Sequence, residues 1–154
     1  MNTAVQDIRA VLIQTEAARL LLPNATVSEV LSYAAPDPVE NAPDWLLGTI
    51  RWRGWRLPLV AFSPLSGQGA EQGDLSHKMI VLKTLGGQSK TPFFALLTKG
   101  FPRLVTVSRD RLAAAEREGG LEAGVRAYVD FNDEPAVIPD IDGIERAISE
   151  AMAA

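Results

Sequence analysis

The chain has no cysteine, which removes disulfides, thiolate metal sites, iron–sulfur clusters and thiol nucleophiles. It has one histidine, His77, and no Gly-x-Ser-x-Gly or comparable element to partner it. Imidazole-based catalysis therefore lacks a positioned second group. His77 lies between a polar loop and a strand start and reads as a solvated strand-edge residue. No stretch approaches the ~18 apolar residues of a membrane helix. The opening MNTAVQDIRA sets no long apolar run behind a basic segment, so no signal peptide is expected. A reducing cytoplasmic setting without direct membrane insertion fits these absences. Basic residues are not in excess either: 15 Lys and Arg face 19 Asp and Glu, for a net charge of −4 and a pI near 5.0. A general nucleic-acid binder usually needs a basic face, so this balance counts against one. The Gly67-Gln68-Gly69 and Gly86-Gly87 runs lack the Lys-Ser/Thr that completes a phosphate loop. No 20–50-residue period recurs clearly.

What is present is a short chain able to fold. Its 154 residues are 47% hydrophobic and 22% charged, which fits one domain or two tightly joined small barrels. Apolar runs at 8–13 (IRAVLI) and 18–22 (ARLLL) flank the polar Gln14-Thr15-Glu16, a hairpin signal closed by Pro23-Asn24. Residues 26–33 (TVSEVLSY) place Val27, Glu29, Leu31 and Tyr33 on one strand face, or Val27, Val30 and Leu31 on one helix face. A Pro-rich acidic loop with Asp37, Glu40 and Asp44 follows. Runs at 45–52 and 55–62 then flank Arg53-Gly54, a second hairpin. Residues 63–74 (SPLSGQGAEQGD) are short of apolar anchors and make the best candidate for a mobile loop. Strands are expected at 78–85, 92–99, 103–107, 125–131 and 136–138, with turns at Gly86-Gly87, Gly100 and Asn132-Asp133. Residues 110–118 (DRLAAAERE) hold strong helix formers and read as a short helix or turn ended by Gly119-Gly120. The tail from 138 reads as a terminal helix capped by Asp140 or Asp142, with Ile144, Ala147, Ile148 and Ala151 on one face. Many short strands at regular spacing point to barrels or a sandwich.

The carboxylates Asp130, Asp133, Glu134, Asp140 and Asp142 lie close in sequence but fit turn chemistry and a helix N-terminus better than a metal or glycosidase site. The informative stretch is 45–62, WLLGTIRWRGWRLPLVAF, where Trp52 and Trp55 alternate with Arg51, Arg53 and Arg56. Tryptophan and arginine are enriched at interface hot spots. The same interleaving could stack single-stranded bases on an OB-like barrel, or the indoles could simply fill a small core. A small-ligand or enzyme barrel would instead require a deep pocket with convergent polar groups.

Residues 42–62 (APDWLLGTIRWRGWRLPLVAF) resemble the signature hairpin of CheW-like domains, with Gly48, Arg53, Gly54 and Pro58 in register. Val27-Ser28-Glu29-Val30 resembles the family's V-x-E-I element, and KMIVLKTLGG, PFFALLTKGFPRLVTV and AVIPDIDGIERAI resemble its later strands and terminal helix. Arg51 stands where the family usually has Asn, Trp52 where it has Leu, and Ala61 where it has Asp. These departures are closer in style to the ChpC/PilI-type adaptors of type IV pilus (twitching) chemosensory systems. The resemblance implies an all-β fold over 1–154, a single CheW-like domain of two intertwined five-stranded (SH3-like) β-barrels sharing a core, with a short C-terminal helix. It implies a non-enzymatic, cofactor-free adaptor whose partners are a chemoreceptor's cytoplasmic tip and the regulatory domain of a CheA-type histidine kinase, not nucleic acid. It places Glu29 and Arg53 at the receptor-facing groove with Val27, Leu57 and Leu59 as apolar neighbours; Arg51, Trp52 and Trp55 would be further partner contacts. Glu29 and Arg53 lie in apolar segments, so each is expected to be partly buried and the two to pair.

Overall fold

A computed structural model describes residues 7–84, 92–115 and 120–153. Eleven strands among these residues form two sheets. Strands β1 (Ile8–Gln14) and β2 (Arg19–Pro23) form the first expected hairpin, with Gln14 opposite Arg19. The chain then crosses to the second sheet with β3 (Val27–Ser32), β4 (Leu46–Trp52), β5 (Trp55–Val60), the single-turn helix α1 (Phe62–Leu65), β6 (His77–Lys83) and β7 (Phe93–Lys99). It returns to the first sheet with β8 (Arg103–Val107), β9 (Leu112–Ala115), β10 (Val125–Phe131) and β11 (Glu134–Pro139), and ends in helix α2 (Ile141–Ala153). The sheet orders are β8-β1-β2-β11-β10-β9 and β3-β6-β7-β5-β4.

Burial on both faces explains why the strands read as unbroken apolar runs rather than alternating ones. Val11, Ile13, Leu20 and Leu22 of the first sheet meet Val60, Ile80, Leu82, Phe94 and Leu96 of the second in a shared core. The alternate residues Ala10, Leu12 and Leu21 turn into a separate core of the first sheet with Val129 and Phe131. Leu57, Leu59, Met79, Val81, Ala95 and Leu97 do the same inside the second. Helix α2 covers the shared core with Ile141, Ile144 and Ile148, each worth about 1.5–3 kcal/mol on burial. Asp140 caps it, accepting the Gly143 N–H at 3.1 Å. Ala147 and Ala151, expected on the buried face, are only half-buried.

Four expectations need correction. Residues 112–115 pair with β10 as β9, preceded by a 3-10 turn at Arg109–Arg111. Tertiary pairing here overrides the helix propensity of Leu-Ala-Ala-Ala and gives the first sheet six strands instead of five. The 63–74 segment is anchored by polar groups, which an apolar count overlooks. Buried Glu71 accepts N–H groups of Glu16 at 2.9 Å and Ser63 at 3.3 Å, while Ser63 Oγ accepts from the Ala17 N–H at 3.0 Å. His77 is buried, with Nδ1 3.0 Å from Asp74 Oδ1, because β7 pairs along its whole strand. In β3 a bulge between Val27 and Glu29 breaks the expected common face. Val27 joins Val30 against the shared core, while Leu31 and Tyr33 pack on the second sheet's interior. The expected strand end at Leu85, the turn at Gly86-Gly87, and Gly119 lie outside the described residues.

Candidate functional site

The β4–β5 hairpin is built by its turn. Trp52 and Trp55 are cross-strand partners, leaving Arg53 (φ 48°) and Gly54 (φ 82°) as a two-residue loop. Both central residues at positive φ match the right-handed twist of the strands, which is why glycine serves at the second position. Behind the turn, Gly48 (φ 145°) lies at a bulge where the segment after β3 crosses β4. Asp37 and Thr49 exchange two backbone hydrogen bonds there, at 2.9 and 2.8 Å. A Cβ on Gly48 would overlap the Asp37 carbonyl oxygen and lie 2.9 Å from Pro36 Cβ, so only glycine lets the strap close. Pro58 sits just before the two β5 positions that pair with β7, Leu59 and Val60, so its missing N–H breaks no bond of that ladder.

The hairpin has two chemically distinct faces. On the inner face Trp52 is 7% exposed and packs edge-on against Phe93, with ring centroids 4.9 Å apart. Its indole Nε1–H donates to Glu29 Oε1 at 2.9 Å, and Arg53 Nη2 donates to the same oxygen at 3.0 Å. The Arg53 guanidinium also lies over the Trp52 ring, 4.9 Å from its centroid. This clamp spans the seam between β3 and β4, the two edge strands of the second sheet. Trp55 is 39% exposed and touches Phe93 at 6.2 Å between centroids. On the outer face Arg51 and Arg56 stand opposite each other, both exposed. Arg56 donates to Thr49 Oγ1 at 3.1 Å and lies 3.7 Å from Asp37 Oδ2; Arg51 has no ion pair among the described residues. A hollow of about 430 Å³ is lined by residues 51–56.

The expected Glu29–Arg53 pair forms, but in the open: the Arg53 side chain is 69% exposed and that of Glu29 37%. Such a pair is worth under about 1 kcal/mol, so it orients groups more than it holds the fold. Leu57 and Leu59 are wholly enclosed in the second sheet's core and cannot form a solvent-facing apolar strip. Being inward at alternate positions, they shape the hairpin from beneath. Trp52 is a core residue on which Glu29 and Arg53 are mounted, whereas Trp55 is the indole open to solvent. Two contributors escaped the sequence reading, Phe93 between the indoles and Asp37 behind Arg56. The only signal was aromatic or acidic character in segments distant along the chain.

Residues 9–148 match the family model of the CheW-like domain. The chain belongs to the CheW-like domain family. It is 33% identical over 82 residues to the "Chemotaxis protein CheW" of Rhizobium meliloti (strain 1021), a match taking in 53% of this chain and 50% of that protein. The matched stretch therefore spans about half the length of that curated relative. The fold is also similar to the crystal structure of the scaffolding protein TtCheW from Thermoanaerobacter tengcongensis, with a TM-score of 0.72 and 15% identity. That likeness covers 92% of this chain and 89% of the other, and it bears out the CheW-like arrangement of two SH3-like barrels with a terminal helix. In this CheW-like protein the motif positions Gly48, Arg53, Gly54 and Pro58 all fall at the bulge, turn and ladder boundary just described.

Proposed function

We propose that this CheW-like protein is a cytoplasmic, non-enzymatic adaptor acting as one unit across both barrels. It would couple the tip of a methyl-accepting chemoreceptor to the regulatory domain of a CheA-type histidine kinase, in chemotaxis or in a type IV pilus (twitching) pathway. The carrying observation is the Glu29–Trp52–Arg53 clamp with Trp55 beside it: a core residue holds two charged groups, and Phe93 carries an exposed indole next to them. Rigid aromatic and arginine groups of this sort anchor protein partners at low entropic cost. Glu29, Arg51, Arg53 and Trp55 are the contacts in this reading, with Trp52, Leu57 and Leu59 as their support and Val27, turned to the shared core, anchoring the strand that carries Glu29. Kinase control then arises from coupling free energy between two docking sites. No helix among the described residues is long and apolar enough to cross a membrane. A single-strand nucleic-acid platform needs several open ring faces, and enclosure of Trp52 leaves the hairpin with one exposed indole, Trp55.

Calorimetric titration of the protein with a purified receptor tip and with a kinase regulatory domain tests the reading. Binding of both, with the receptor arm weakened by Arg53→Ala and Trp55→Ala, is the expected result. Absence of binding to either partner, or binding to both that neither substitution changes, overturns it.

A further inference from the structure

The outer face of the hairpin carries a charge arrangement that the fold itself does not need. Arg51 and Arg56 are directly opposed across β4 and β5. Residues 52 and 55 close the two-residue turn, so the 51–56 pair falls at the next, non-hydrogen-bonded position, where Cβ atoms stand about 4.5–5.5 Å apart. Like charges placed so are mutually repulsive. Asp37 relieves Arg56 at 3.7 Å from one side, and Glu29 is engaged by Arg53 and Trp52 on the inner face. On the outer face two guanidiniums thus meet one carboxylate, making a positive island on a chain of net charge −4. The hollow lined by residues 51–56 gives that island a concave wall.

We propose that Arg51 and Arg56 together bind a carboxylate presented by an acidic segment of a protein partner. Two forked donors at this spacing can both reach one carboxylate, and its charge removes their repulsion. A protein segment is favoured over a nucleic acid because the net negative chain repels a polyanion while a localised acidic residue meets only the island. The inference shares Arg51 with the receptor-adaptor reading but not its carrying observation, the Glu29–Trp52–Arg53 clamp of the inner face.

The test is an NMR titration following the arginine Nε–Hε signals, with four probes: a synthetic helical peptide rich in Glu, its Gln counterpart, inorganic phosphate and a single-stranded oligonucleotide. Expected are saturable shifts of Arg51 and Arg56 with the Glu peptide and none with the Gln peptide. Arg51→Asn should weaken Glu-peptide binding about three- to fivefold, and Arg109→Gln, on a distant turn, should not. Asn is tolerable at position 51 because the side chain is exposed. Equal affinity for phosphate would mean a generic anion site and overturns the proposal. Tighter oligonucleotide binding, or an unchanged affinity in Arg51→Asn, does so too. Peptide binding that survives when no receptor tip binds would sink the adaptor reading and leave this one standing.

Discussion

The two indoles of the hairpin are adjacent across the ladder yet should answer mutation in opposite ways. Trp52→Ala empties a site that is 7% exposed, and large-to-small changes of a buried Trp cost about 3–5 kcal/mol. The edge-on contact with Phe93 is part of that loss. Loss of the indole N–H also leaves Glu29 with Arg53 alone. A loss of about 3–5 kcal/mol is a large part of a small domain's stability. Trp55→Ala removes a side chain that is 39% exposed and touches Phe93 at 6.2 Å, so its stability cost should be about 1–2 kcal/mol. If Trp55 is a partner anchor, its loss should weaken receptor-tip binding by about 2 kcal/mol or more, roughly thirtyfold. Urea unfolding followed by far-UV circular dichroism measures the first quantity, and calorimetry on the folded fraction the second. Trp52→Phe, which keeps a ring in the core but loses the N–H to Glu29, should recover much of the stability. Equal destabilisation by Trp52→Ala and Trp55→Ala would refute the assignment of one indole to the core and the other to the surface. So would a Trp52→Ala protein within about 1 kcal/mol of the parent.

Gly48→Ala should cost about 2–4 kcal/mol in urea unfolding, because the Asp37–Thr49 strap must open and two backbone hydrogen bonds go with it; a change under about 0.5 kcal/mol would show that the strap gives way freely. Glu29→Gln should stay within about 1 kcal/mol of the parent, since the amide oxygen still accepts from Trp52, whereas Glu29→Ala orphans a largely buried indole N–H and should cost about 1–3 kcal/mol. Identical losses in the two variants would mean that charge, not the acceptor, matters. Hydrogen bonds from Ser76 and His77 hold the Asp74 carboxyl down to about 2 from its ordinary 3.8. Its folded-state value is depressed, so the stability it contributes is complete above pH 4 and lost as pH falls towards 2. The gap between the parent and Asp74→Asn in unfolding experiments at successive pH values should therefore close over that window, and a gap constant down to pH 2 would contradict the assignment.

The hairpins were legible because their signals are local. Arg53-Gly54 between two apolar runs dictates a turn, and Asp140 before an amphipathic run dictates a helix start. Residues 112–115 were misread because Leu-Ala-Ala-Ala carries helix propensity, and only pairing with β10 fixes it as a strand. The buried state of His77 and Glu71 was invisible for a related reason: their enclosure comes from segments far off in the chain. At the site, the residue types and the Glu29–Arg53 pairing could be read from the sequence, while the division of labour could not. Strand alternation alone puts Trp52, Trp55, Leu57 and Leu59 on equivalent positions or faces of the hairpin. Which of them is enclosed depends on the distant neighbours each meets, Phe93 and Glu29 for Trp52, and those are set by closure of the whole sheet.

The route of the chain between the sheets has a consequence for how the protein comes into being. Strands β1 and β2 belong to a sheet whose other members begin at Arg103, about 80 residues further on. At a synthesis rate of roughly 5–20 residues per second, β1 and β2 wait roughly 4–16 s on the ribosome before their own sheet can assemble. Throughout that interval Leu20, Leu21 and Leu22 have only part of their eventual cover, from β1 and from the second sheet as it emerges. Closure of so distant a pairing is entropically slow, so the nascent protein should be a client of holding chaperones, most vulnerable to aggregation when translation pauses before β8.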